Sequence, residues 1–154
     1  FLKKCRTSGV DGLIIVDLPY VESEEFLKKL NEEGVDLIRL ISPTTTDERI
    51  SKILASSSGY LYYISLKGVT GSNLKVSEEL EKRVSKIKKQ TNLPVVVGFG
   101  IKDAETANKM SKCSDGVVVG SKLVDEISKH PSIEDNLLKQ NLTSIIEDLK
   151  LGIS

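Results

Sequence analysis

Three polar, glycine-bearing stretches carry the residue types that could do chemistry. "SLKGVTGSN", Ser65 to Asn73, has two glycines, three hydroxyl side chains and one lysine. It leaves the apolar run "YLYYI" directly. "GFG", residues 98–100, leaves "LPVVV", and Gly120-Ser121 leaves "GVVV". Glycine lets the backbone come close to a ligand, so main-chain N–H groups can point at a phosphate. Gly120-Ser121 also opens a helical stretch, whose N-terminus favours an anion, and Ser121 adds a hydroxyl donor. A lone Gly-Ser reads equally well as a helix cap. Three such stretches at successive strand ends read better as a phosphate site.

Those ends belong to a repeated unit. "SGVDGLIIVDLP", "EGVDLIRLISP" and "CSDGVVVGS" each run from a small turn residue through Asp into β-branched and aliphatic residues. "SGYLYYIS" and "TNLPVVVGFG" share the turn and the apolar run. The expected strands are 12–16, 36–41, 60–64, 94–98 and 115–119. Their apolar positions are consecutive rather than alternating, as in parallel strands buried on both faces. Between them, helices are expected over 22–34, 46–59, 77–90, 102–113 and 121–130, with a closing helix over 136–150. Phe26, Leu27 and Leu30 share a face of the first, Ile50, Ile53 and Leu54 of the second, and Leu80, Val84 and Ile87 of the third. Thr46 and Asp103 are candidate caps.

Strand and helix alternating through short connections mean an α/β fold. An open doubly wound sheet and a (β/α)8 barrel, or part of one, both satisfy that pattern. A doubly wound nucleotide binder carries G-x-G-x-x-G after its first strand, and that motif is absent here. Barrels hold ligands at the C-terminal ends of strands, and phosphate often after the last two, which matches "GFGI" and "VVVGS". The 154 residues fall below the roughly 250 of a complete barrel. The expectation is a partial barrel, a single domain with βα units over 1–130 and a C-terminal helix within 131–154. "FLKKCRTSG" reads as the tail of a helix, so the chain is expected to be a fragment whose earlier units precede it.

Lys plus Arg and Asp plus Glu are 22 each, which argues against a nucleic-acid-binding face. Two distant cysteines, Cys5 and Cys113, make no disulfide framework and suggest a reducing compartment. With a single histidine, His130, a zinc site is not expected. No apolar run approaches the ~20 residues of a membrane span, and no targeting segment is recognisable. Cys113 reads as apolar filler, and His130 as a helix-terminal residue.

"YYISLKGVTGSN", "LPVVVGFGI" and "SDGVVVGSKLV", in that order and spacing, resemble the tryptophan synthase alpha family. "VDGLIIVDLPYVESEEF" and "LIRLISPTTTDERI" resemble that family's fourth and fifth units. The resemblance runs from about Phe1 to about His130. It implies a (β/α)8 barrel, with units four to eight present here. It also implies a lyase of tryptophan biosynthesis that cleaves indole-3-glycerol phosphate into indole and glyceraldehyde 3-phosphate. The implied partner is a beta subunit in a tetramer of two alpha and two beta chains. Pyridoxal phosphate belongs to that partner, and no cofactor or metal is implied for this chain. The implied location is the cytoplasm or a plastid.

Carried over by position, Gly71, Gly100, Gly120 and Ser121 bind the substrate phosphate, and Leu40 and Phe99 line the indole pocket. Tyr62 and Thr70 orient a catalytic aspartate of an earlier loop, and the stretch after Ser65 is a mobile lid. The family's two catalytic carboxylates belong to its second unit, and no residue here matches either. Asp17 ends a strand but corresponds to an aspartate away from the acid–base role. As a bare strand residue, Tyr62 should point to the opposite face from Tyr63. Two other functions stay open: a phosphate-binding barrel of another biosynthetic pathway, and an inactive partner-binding module lacking the catalytic carboxylates.

Overall fold

The computed structural model describes residues 1–18, 24–64, 78–98, 100–130, 132 and 136–153. After a short helix α1 (Leu2–Thr7), strands and helices alternate along the chain. They are β1 (Gly12–Ile14), α2 (Glu24–Glu33), β2 (Asp36–Ile41), α3 (Asp47–Ala55), β3 (Leu61–Ile64), α4 (Glu78–Lys88), β4 (Val95–Gly98), α5 (Ala104–Ser111), β5 (Gly116–Val118) and α6 (Ser121–Ser128). Helix α7 (Asn136–Gly152) comes last. The strands form one sheet in the order β1-β2-β3-β4-β5, and every neighbouring pair is parallel. Each strand therefore lies beside the next in sequence, as helical crossovers in a barrel require. The five expected strands all form, and four are shorter at their ends than the apolar runs suggested.

Alternation decides which side chain goes where. On β3, Leu61 and Tyr63 are buried while Tyr62 and Ile64 are half-buried; on β4, Val95 and Val97 are buried and Val96 is half-buried. The buried set packs with Ile50 and Ile53 of α3, Leu80, Val84 and Ile87 of α4, and Ala107 and Met110 of α5. Each such aliphatic side chain contributes about 1.5–3 kcal/mol on leaving water. The sequence suggested burial on both faces. Instead the second face is only partly covered, because the described residues place no further strands opposite it. A smaller cluster, Leu2, Leu30, Val35 and Leu37, seats α1 and α2 against the β1–β2 end of the sheet, with Phe26 and Leu27 partly buried beside it.

The helix starts arise from local chemistry. Thr46 caps α3 by accepting from the Arg49 N–H at 3.4 Å. Asp103 and Thr106 form a reciprocal capping box at α5. The aspartates that open the repeated units sit at the N-terminal ends of strands and act structurally. Asp115 Oδ2 accepts from the Val95 N–H at 2.8 Å, and its Oδ1 accepts from Lys88 Nζ at 2.6 Å. Asp36 donates its backbone N–H to the Asp11 carbonyl at 2.8 Å. At the far end, α5 and α7 cross so closely that a Cβ on Gly152 would strike the Ala104 carbonyl. Asn108 Nδ2 donates to the Gly152 carbonyl at 2.7 Å.

The partly covered face carries an unusually tight pair. Tyr62 and Val96 are register partners, as are Ile64 and Gly98, so the Tyr62 ring reaches diagonally over Gly98. A Cβ at Gly98 would lie 2.5 Å from Tyr62 Oη and 2.7 Å from its Cε2. Gly98→Ala should therefore cost about 1–3 kcal/mol by overpacking. In the double variant with Tyr62→Ala, the two losses should sum to less than their separate values, read by urea unfolding. Strict additivity would show that the ring does not enforce the glycine.

Helix α6 is held to α7 through Glu126. Its carboxylate accepts from Lys129 Nζ at 2.8 Å and Asn141 Nδ2 at 2.7 Å, with His130 Nε2 at 3.4 Å. These partners, Lys129 first, lower its pKa from 4.5 to about 2. A carboxyl whose folded pKa is depressed stabilises the fold above its unfolded pKa and loses that contribution as pH falls through the folded value. Between pH 4.5 and about 2 the wild-type chain should lose stability more steeply than Glu126→Gln. Parallel pH curves of melting temperature for the two proteins would contradict this.

Candidate functional site

The C-terminal ends of β3, β4 and β5 lie side by side, because the register aligns Ile64 with Gly98 and Gly98 with Val118. The turns leaving these strands therefore gather on one rim. After β4, Gly100 has φ +70, a left-handed conformation that favours glycine. Ile101, 5 % exposed, anchors the turn into the core before the α5 capping box begins. After β5, Gly120 is the residue before α6, and no side chain caps that helix. The N–H groups of Ser121 and Lys122 open α6, and the first helical N–H groups lack partners within their own helix. Ser121 is exposed on that first turn. A Cβ on Gly120 would meet nothing within 4 Å, so open space rather than packing surrounds it.

Two glycines on this rim thus have different physical reasons. Gly98 is glycine because Tyr62 fills the space its side chain would need. Around Gly120, an exogenous group could approach the backbone and the open helix N-terminus together. Sequence patterning singles out Gly100, Gly120 and Ser121, and the structure brings all three to the rim. The patterning misses the role of Gly98, whose signal is legible only through strand register. Gly71 and Thr70 after β3, and Phe99 after β4, lie outside the described residues.

Tyr62 points to the partly covered face and Tyr63, 2 % exposed, to the helix side, as alternation required. Burial, and after it the neighbouring Tyr60, pushes the Tyr62 phenol above its ordinary pKa. It stays a neutral hydrogen-bond donor at physiological pH. Leu40 is the register partner of Tyr62 on the same face. It lies on the wall of a cavity of about 640 Å³ at the ends of β1 and β2, which Ile64, Ser42 and Thr45 also line. Gly100, Gly120 and Ser121 do not line that cavity, so a ring pocket and a phosphate rim would be adjacent rather than shared.

Other candidates fall away from the site. Cys5 and Cys113 are free thiols. Burial pushes the Cys113 thiol above its usual pKa, which suits filler rather than a nucleophile. Asp17 is exposed just after β1. No group of metal-ligating side chains occurs among the described residues, and no described helix is long and apolar enough to cross a membrane.

Comparison with known proteins agrees with this geometry. The family described as Tryptophan synthase alpha chain matches residues 1–152. The tryptophan synthase alpha chain of Marinobacter nauticus is 45% identical over 150 residues, covering 97% of this chain and 55% of its own length. The solved alpha subunit of Legionella pneumophila superposes with a TM-score of 0.80 at 34% identity, over 99% of this chain and 55% of that one. A chain of a tryptophan synthase complex from Pyrococcus furiosus gives a TM-score of 0.77 at 30% identity, over 97% and 58%. The chain spans about half the length of the curated relatives it matches, and its five parallel strands are part of their (β/α)8 barrel. It belongs to the tryptophan synthase alpha chain family.

Proposed function

We propose that this chain supplies the phosphate grip and one wall of the ring pocket for the aldol cleavage of indole-3-glycerol phosphate to indole and glyceraldehyde 3-phosphate. The observation that carries this reading is the rim itself. Gly100 in a left-handed turn and the uncapped start of α6 at Gly120-Ser121 come after neighbouring strands, where a barrel holds phosphate. In the reaction, the ring carbon bearing the glycerol chain is protonated, which makes it a leaving group. A base takes the proton of the adjacent side-chain hydroxyl, and the carbon–carbon bond breaks to give the aldehyde. Both proton transfers need carboxylates of the family's earlier units, and no residue of this chain takes that part. The role of these residues is to hold the phosphate through Gly71, Gly100, Gly120 and Ser121. Tyr62 and Thr70 orient the loop aspartate, and Leu40 and Phe99 flank the indole.

In this reading the partner is a beta subunit that receives the indole and carries the pyridoxal phosphate, in a tetramer of two alpha and two beta chains. This chain brings no cofactor of its own. The two free cysteines suit a reducing compartment such as the cytoplasm.

The chain should bind glycerol 3-phosphate, measured by calorimetry. Ser121→Ala should weaken that binding about ten- to a hundredfold, the loss expected for one hydrogen bond to a charged group. Gly120→Asp should abolish it by placing a carboxylate against the phosphate. Indole release from indole-3-glycerol phosphate should stay at background for the chain alone, with or without a beta subunit. Unchanged binding in both variants would refute the phosphate rim, and measurable turnover would refute the division of labour.

A further inference from the structure

One charged residue stands where the fold has no evident use for it. Leu37, Arg39 and Ile41 alternate on the helix-facing side of β2. Leu37 belongs to one apolar cluster and Ile41 to the other. Arg39, between them, is 7 % exposed. Its Nη1 donates to the Leu18 carbonyl at 2.8 Å. Its Nε and Nη2 are buried without a hydrogen-bond partner among the described residues. No carboxylate pairs with it among those residues either, and burial draws its pKa down. A guanidinium left in this state costs several kcal/mol unless an acceptor reaches it.

The geometry of the free edge is specific. Nε–H and Nη2–H lie on one side of the guanidinium, parallel and in plane, the arrangement that receives both oxygens of a carboxylate. With Nη1 tied to Leu18, this edge is the one left over. Arg39 lines the 640 Å³ cavity at the end of β2 together with Arg49, Lys52 and Glu48. Glu48 is already engaged by Lys52 at 2.7 Å, so the charge around the cavity favours an anion. Ile15, Leu18 and Ile53 add an apolar wall. Arg39 and Leu40 leave β2 on opposite faces, yet both line this cavity, and Gly100, Gly120 and Ser121 do not.

We propose that the Nε/Nη2 edge of Arg39 anchors a carboxylate-binding site opening into this cavity, suited to an organic acid with a short apolar body. The Leu18 bond serves as the pivot about which the guanidinium turns its free edge to the incoming carboxylate. The site is distinct from the phosphate rim, since Gly100, Gly120 and Ser121 do not line this cavity.

The chain contains four arginines, so four Nε–H signals can be resolved by nitrogen-edited NMR, and the signal lost in Arg39→Lys is that of Arg39. At fixed ionic strength, sodium acetate should move that signal saturably while sodium chloride does not. Butanoate should bind more tightly than acetate, by about fourfold per buried methylene. A saturable shift with acetate that tightens with butanoate supports carboxylate recognition by Arg39. A signal unmoved by both acids would overturn it.

Discussion

The structure depends on one constraint: side chains of a parallel strand must alternate between two faces while the hydrogen-bonded register holds neighbours level. Once Leu61 and Tyr63 of β3 and Val95 and Val97 of β4 are sealed under α3, α4 and α5, the directions of Tyr62 and Val96 are set. A slip of one residue would expose the whole buried set, so the register is strongly held. The same register levels Ile64, Gly98 and Val118, and it is this levelling that gathers the turns after three strands on one rim.

The two ends of the sheet use polar residues differently. At the N-terminal ends, Asp115 ties the start of β4 to β5 and to Lys88 of α4. Asp11 and Asp36 link β1 to β2 through their backbones. These contacts close main-chain hydrogen bonds where strands begin, and they serve stability. At the C-terminal ends of β4 and β5, glycines and a hydroxyl take their place, and the start of α6 has no side-chain cap. This division is the usual one in a (β/α)8 barrel. Cross-helix pairs such as Arg83 and Lys86 with Asp47 hold α4 against the start of α3, and because Asp47 and Lys86 are exposed they contribute modestly.

Arg39 departs from the pattern of the other strand positions. Elsewhere the helix-facing positions of the strands are apolar, and the buried Ser114 is satisfied, its hydroxyl bonding the Met110 and Gly116 carbonyls; on helix α4, Arg83 Nε is also buried without a partner among the described residues. A buried charge with two unused donors between two apolar clusters is a local cost without a local return among the described residues. Such departures concentrate where a protein meets another molecule.

Much was legible from residue order alone. The five apolar runs announced the strands, Thr46 and Asp103 announced helix starts, and "GVTG", "GFGI" and "VVVGS" together announced the family. These signals are local, because caps, turns and propensities act over a few residues. The half-covered second face, the diagonal reach of Tyr62 over Gly98 and the stranded edge of Arg39 were not legible. Each depends on which residues a neighbouring strand or helix brings alongside, and pairing between distant segments leaves no mark in the order of either. The sequence by itself determined the elements, their order and the glycines at the strand ends. Only the tertiary structure decided which glycine answers to packing and which to open space, because register and burial are properties of the assembled sheet.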